Sequence, residues 1–233
     1  MKTITIEGPG KNALSMSLMA KLSADIAAAG DAPLLLTGAG DTFCAGLDLK
    51  EVLAFDLEGM AAFLRALEGL ARAIFAHPAP TCAVVNGHAI AGGCILALCC
   101  DLRVAAAKPK AKIGLNEVAL GLLYPPGLLR LVEMRVPRSR LEEIVLGAGL
   151  HAPQRAMELG MVDAVEQDAM AWAERELTAR AKLSPQAYAS AKAVLRKAAL
   201  APHPEDDERF MRDGLVSWIS PELKATLRKI LRM

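Results

Sequence analysis

The sequence predicts an α/β core running to about residue 165, followed by a helical C-terminal part over 166–233. Three observations predict it. Short apolar runs bounded by Gly and Pro alternate with longer segments of helical apolar spacing up to about residue 165. Strand–helix alternation implies parallel pairing, because parallel neighbours need a crossover between them. Beyond residue 168 the pattern is almost wholly helical, broken at Pro185 and at Pro202 to Pro204.

Thr3-Ile4-Thr5-Ile6 alternates as a short strand, and Leu14, Leu18, Leu22 and Ile26 form the apolar stripe of a helix. Pro33 and Gly38 bracket a buried strand, Leu34-Leu35-Leu36, and a glycine-rich loop extends to Gly46. From Leu57 to Phe75 the apolar positions keep helical spacing until Pro78 and Pro80. Thr81 to Val85 is a buried strand, Asn86-Gly87 a turn, and Gly92-Gly93 opens an apolar helix to about Cys100. Asp101 to Ala105 and Ile113-Gly114 are further strands, and residues 126–160 are helical with breaks before a last short strand, Met161 to Val165. In the final segments Trp218, Ile219, Leu223, Leu227, Ile230 and Leu231 form a stripe that must be buried, either on the chain's own core or against a second subunit.

Of 233 residues, 27 are Lys or Arg and 26 Asp or Glu, for a net charge of +1. That balance argues against nucleic acid or an anionic membrane as a general partner. The apolar stretch Ala89 to Cys100 is too short to span a bilayer. The five cysteines form no CxxC pair and no framework, which suits buried thiols in a reducing compartment. The expected location is the cytoplasm, with the mitochondrial matrix as the alternative. His77, His151 and His203 lack metal-ligand spacing, and no Walker A, complete GxGxxG or GxSxG pattern is present. No metal and no cofactor is expected.

Three segments carry chemistry. Phe43-Cys44-Ala45-Gly46-Leu47-Asp48-Leu49 and Asn86-Gly87-His88-Ala89-Ile90-Ala91-Gly92-Gly93-Cys94 both place glycines where a loop meets a helix start. Glycine lets backbone approach a ligand, and first-turn amides are unpaired donors that can stabilise a developing oxyanion. In the third, Ile113-Gly114-Leu115-Asn116-Glu117, an acid stands among apolar residues. Glu117 is either a surface glutamate or a desolvated general base.

In this order the three segments resemble the crotonase (enoyl-CoA hydratase/isomerase) superfamily, over nearly the whole chain. Val84-Val85-Asn86-Gly87 through Cys94, then Cys100-Asp101-Leu102-Arg103, resembles the second oxyanion loop. Asn12-Ala13-Leu14 resembles the element near the CoA adenine, and Ala156 to Asp163 the stretch after the active-site helices. The resemblance implies a crotonase spiral of ββα units with a C-terminal trimerisation module, forming homotrimers or hexamers. It also implies an acyl-CoA thioester substrate, oxyanion amides at Leu47 and Gly92, and a catalytic glutamate at Glu117. Lys11, Ala45, Gly46, Asp48, Leu49, Gly93 and Ile95 become candidate substrate contacts. Lys50, and Lys224 and Lys229 of a second subunit, are further candidates for the CoA phosphates, and His88 for the pocket wall. The chain is short at its N-terminus for this family, which implies the loss of one or two early strands.

One departure discriminates among reactions. Hydratases carry a first glutamate directly after the Gly-Gly-Cys run, where this chain has Ile95; the second matches Glu117. Hydration uses paired carboxylates, whereas moving a double bond needs one base. Ile113 to Gly121 and Val216 to Ser220 resemble the mitochondrial-type Δ3,Δ2-enoyl-CoA isomerase branch. The expected activity is therefore enoyl-CoA isomerisation, with hydration or another crotonase reaction as the alternative and a non-catalytic acyl-CoA-binding oligomer as the second.

Overall fold

The computed structural model describes residues 1–231. Its main sheet is parallel throughout and built from β1 (Lys2–Ile6), β2 (Leu34–Gly38), β3 (Thr81–Val85), β5 (Leu102–Ala106) and β8 (Ala164–Glu166), in the order β1-β2-β3-β5-β8. A small second sheet pairs β4 (Ala89–Ile90) parallel to β6 (Ile113–Gly114), and β6 antiparallel to β7 (Leu150–His151). Every residue of β2 and β3 is buried, as expected of strands covered on both faces. The pleat divides β3 between two layers. Cys82 and Val84 face the helix Ala169–Ala181 through Ala169, Ala173 and Leu177, while Ala83 and Val85 join the main core.

That core is organised around the helix Leu57–Ala76, which buries Met60, Phe63, Leu64, Leu67, Leu70, Ile74 and Phe75 along one side. Asp56 caps its start by accepting from the Gly59 amide at 2.8 Å. The helix Met16–Ala28 packs beside it through Leu18, Met19, Leu22 and Ile26, with Ser15 as its cap. Leu14, expected on that stripe, stands before the helix and bridges Leu47 instead. The last core strand is Ala164–Glu166 rather than 161–165. Met161 and Val162 are buried in the preceding turn, and the Asp163 carboxylate is held by Arg103, with which it forms an ion pair.

A second ion cluster ties the helix Pro185–Leu200 to the sheet. Asp101 receives Lys192 at 2.7 Å, Arg196 at 2.6 Å and the Tyr188 phenol at 2.9 Å, and accepts from the Thr81 amide. Burial opposes ionisation of Asp101, but the Lys192 and Arg196 charges outweigh it and hold its carboxyl below the ordinary value. Asp101 and Arg103 are thus structural.

Half of the apolar stripe of the last segments is buried within this same chain, while Ile230 remains 51% exposed. Trp218, Leu223 and Leu227 are each under 5% exposed, and the Trp218 indole donates to the Leu123 carbonyl at 2.9 Å. Trp218, Leu223 and Leu227 therefore do not themselves call for a neighbouring subunit. No helix among the described residues is long and apolar enough to cross a membrane.

Candidate active site

The two glycine segments are stitched to each other. Cys44 bridges Ala89: its amide donates to His88 O at 2.9 Å, and its carbonyl accepts from Ile90 N at 3.0 Å. Gly93 is required at this seam, because a Cβ there would lie 2.3 Å from Cys44 O. One turn on, the Leu14 amide donates to Gly46 O at 2.8 Å and its carbonyl accepts from Asp48 N at 2.9 Å. In such a parallel bridge the residue between the two contacts, Leu47, turns its own N–H to the other side. Gly46 makes the bend at φ 98°, backbone that favours glycine.

The second loop ends at Ala91, whose φ of 49° and ψ of −122° are strained for a residue with a Cβ. Its amide is tied to Gly114 O at 2.9 Å, and its carbonyl accepts from Ile95 N at 3.0 Å. This kink presents Gly92 as the first residue of the helix Gly92–Cys99, where backbone N–H groups have no partner within the helix. A Cβ on Gly92 would sit 3.2 Å from a Leu47 methyl, so the two loop ends are neighbours.

Both line one cavity of about 230 Å³, whose walls are mainly apolar: Leu49, Leu67, Ile95, Leu128, Trp218 and Leu223 contribute. Glu117 enters from the segment after β6. The 3-10 turn Val118–Leu120 and Gly121, at φ 73°, fold the chain back so that the amides of Leu120 and Leu122 both donate to Glu117 O at 3.0 Å. The carboxyl group is buried, 5% exposed, and accepts the Tyr124 phenol at Oε2 over 2.8 Å. Burial raises the Glu117 pKa above the ordinary carboxylate value, and the Tyr124 hydrogen bond and nearby backbone amides only partly offset this. Such a site can take up and release a proton, and can hold a small anionic oxygen against backbone donors.

Of the residues expected from the sequence, Ala45, Leu47, Leu49, Gly92, Ile95 and Glu117 all line this cavity. Gly46 and Gly93 stand behind it as backbone supports. Lys11 is exposed, and Asp48 caps the helix Leu49–Ala54 by accepting from Lys50 N; neither lies on the cavity wall. Asn12 is buried and donates to the carbonyls of Ala39 and Thr42, a structural role. His88 accepts from Lys112 N, in keeping with a turn residue. Lys224, considered as a phosphate contact from a second subunit, donates to Phe55 O of its own chain. All five cysteines are free and buried; burial pushes Cys44 up to about 12, so its thiol stays protonated. Tyr124 escaped the sequence reading. Its spacing of seven from Glu117 has no meaning until Gly121 reverses the chain.

A model of the enoyl-CoA hydratase/isomerase family matches residues 1–213. The chain belongs to that family. It is 37% identical over 165 residues to the "Enoyl-CoA isomerase/hydratase claC" of Penicillium crustosum, covering 67% of this chain and 19% of that protein. It is 34% identical over 200 residues to the "Probable enoyl-CoA hydratase echA6" of Mycobacterium bovis, covering 83% and 77%. The chain spans less than two thirds of the length of several curated relatives. Among solved structures, the human mitochondrial Δ3-Δ2-enoyl-CoA isomerase superposes with a TM-score of 0.88 at 26% identity, over 99% of this chain and 93% of that one. The architecture is that of the crotonase fold, parallel sheets followed by C-terminal helices.

Proposed function

We propose that this chain moves the double bond of a 3-enoyl thioester of coenzyme A from C3 to C2. One observation carries the reading: among the described residues lining the cavity, Glu117 is the one acid, and Ile95 stands on the wall where hydratases have a second. The ionised Glu117 carboxylate takes a proton from C2 of the substrate. The electron pair spreads over the thioester oxygen and the C3–C4 bond, and the backbone amides of Leu47 and Gly92 donate to that oxygen. The proton then leaves Glu117 for C4, and the double bond rests between C2 and C3. No water enters and none leaves. Each oxyanion donor of this kind is worth about 10² to 10³ in turnover.

The apolar wall serves the same chemistry by bringing the Glu117 pKa nearer the working pH. The reading extends to assembly. The C-terminal helices would join three copies through exposed apolar residues, for which Val194 and Leu195, 73% and 68% exposed, are candidates. A monomer in sedimentation at micromolar concentration would remove this part.

Hydration of a 2-enoyl thioester is the second reading, and the name of the M. bovis relative favours it. Incubation with 3-hexenoyl-CoA and, separately, with crotonyl-CoA distinguishes the two. Isomerisation well above hydration is expected. Hydration at a comparable rate would show that another group has replaced the missing acid.

A further inference from the structure

The Tyr124 phenol reaches the carboxylate from a rigid place. Its chain neighbour Leu123 accepts the Trp218 indole N–H at 2.9 Å, and Pro125 and Pro126 start the next helix on its other side. Leu122, two residues before it, is pinned to Glu117 O. The segment 117–124 is therefore a closed loop, fastened at the backbone by Leu122 and at the side chains by the bond from Tyr124 Oη to Glu117 Oε2 at 2.8 Å. A glutamate has three rotatable side-chain bonds; besides the backbone amides of Asn116 and Glu117, no other side chain bonds to this carboxylate and gives it a direction. The phenol supplies one.

We propose that Tyr124 is a positioning residue for Glu117, holding Oε2 so that Oε1 is the oxygen that takes the proton at C2 and returns it at C4. This rests on the reading of Glu117 as the base. A single oxygen kept over both carbons suits a proton shift within one substrate, because a carboxylate free to turn would lose alignment between the two transfers. The phenol itself does not give up its proton. Burial and then the adjacent Glu117 charge push its pKa up, so Tyr124 stays a donor throughout.

The test compares Tyr124→Phe, Glu117→Gln and the double variant in 3-hexenoyl-CoA isomerisation across pH, with thermal unfolding to confirm the fold. Tyr124→Phe removes only the hydroxyl. Its kcat is expected to fall about tenfold with KM within about twofold, as for loss of orientation. The acidic limb of its kcat/KM profile is expected to move up by about one pH unit, because a donor to the ionised carboxylate is gone. The double variant should be no slower than Glu117→Gln alone. A Tyr124→Phe protein with wild-type kcat and an unmoved limb would overturn the proposal, provided Glu117→Gln is inactive. So would a double variant slower than Glu117→Gln by the factor that Tyr124→Phe alone costs. An active Glu117→Gln protein would instead remove the base reading beneath it.

Discussion

Gly93→Ala tests whether the alignment of the two loops sets the rate. The added Cβ would lie 2.3 Å from Cys44 O and 2.7 Å from Cys44 Cβ. An ordinary contact needs about 1 Å more. Cys44 cannot give way cheaply, since its amide and carbonyl are both bonded to the second loop and Leu47 follows three residues later. The strain of overpacking is about 1–3 kcal/mol. For a chain of this size that lowers the thermal midpoint by roughly 5 °C. The larger effect is expected in turnover: a displacement near 1 Å between the Leu47 and Gly92 amides should cost about a hundredfold in kcat. Gly69→Ala is the control, because a Cβ there meets nothing within 4 Å, so activity should be unchanged. Calorimetry and 3-hexenoyl-CoA isomerisation measure the two effects. A Gly93→Ala enzyme turning over within twofold of the wild type would refute the argument that this seam positions the oxyanion donors.

Ile95→Glu places a second carboxyl group on a wall that is 2% exposed. It should slow isomerisation at least tenfold through repulsion and a further rise in the Glu117 pKa, and crotonyl-CoA hydration followed alongside shows whether the acid alone restores the other reaction. Glu117→Gln should raise the thermal midpoint at pH 8 but not at pH 4. A carboxyl whose folded pKa exceeds its unfolded value destabilises the fold once ionised, so the cost is absent below about 4.3 and complete above the folded value. Asp101→Asn leaves Lys192 and Arg196 buried without a counter-charge. Breaking such a group costs about 3–5 kcal/mol, which lowers the midpoint by roughly 10 °C. Because the folded Asp101 pKa is depressed, its contribution is present above the unfolded value and fades as pH falls through the folded one, so the variant and the wild type should converge in acid.

Much of this was legible in the chain itself. The strands β2 and β3 follow from unbroken apolar runs between Gly and Pro, and the helix Leu57–Ala76 from its stripe and the prolines after it. The cavity residues Leu47, Gly92, Ile95 and Glu117 were reachable through ordered motifs that resemble a family. What was not legible depends on where the chain folds back. The stripe from Trp218 to Leu227 had two possible destinations, and only the tertiary fold shows it closing its own cavity. Tyr124 meets Glu117 because Gly121 adopts a left-handed turn, which no apolar period reports. Asp48 stands beside Leu47 in sequence yet faces away, since a residue's neighbours on an extended loop point to opposite sides.

The most direct measurement is the turnover of Glu117→Gln with 3-hexenoyl-CoA, together with its affinity for a saturated acyl-CoA. The change is nearly isosteric and leaves the Leu47 and Gly92 amides in place. If Glu117 is the sole base, kcat should fall by about two to four orders of magnitude while thioester affinity changes little. Isomerisation at near wild-type rate would contradict the account and take Glu117 out of the mechanism.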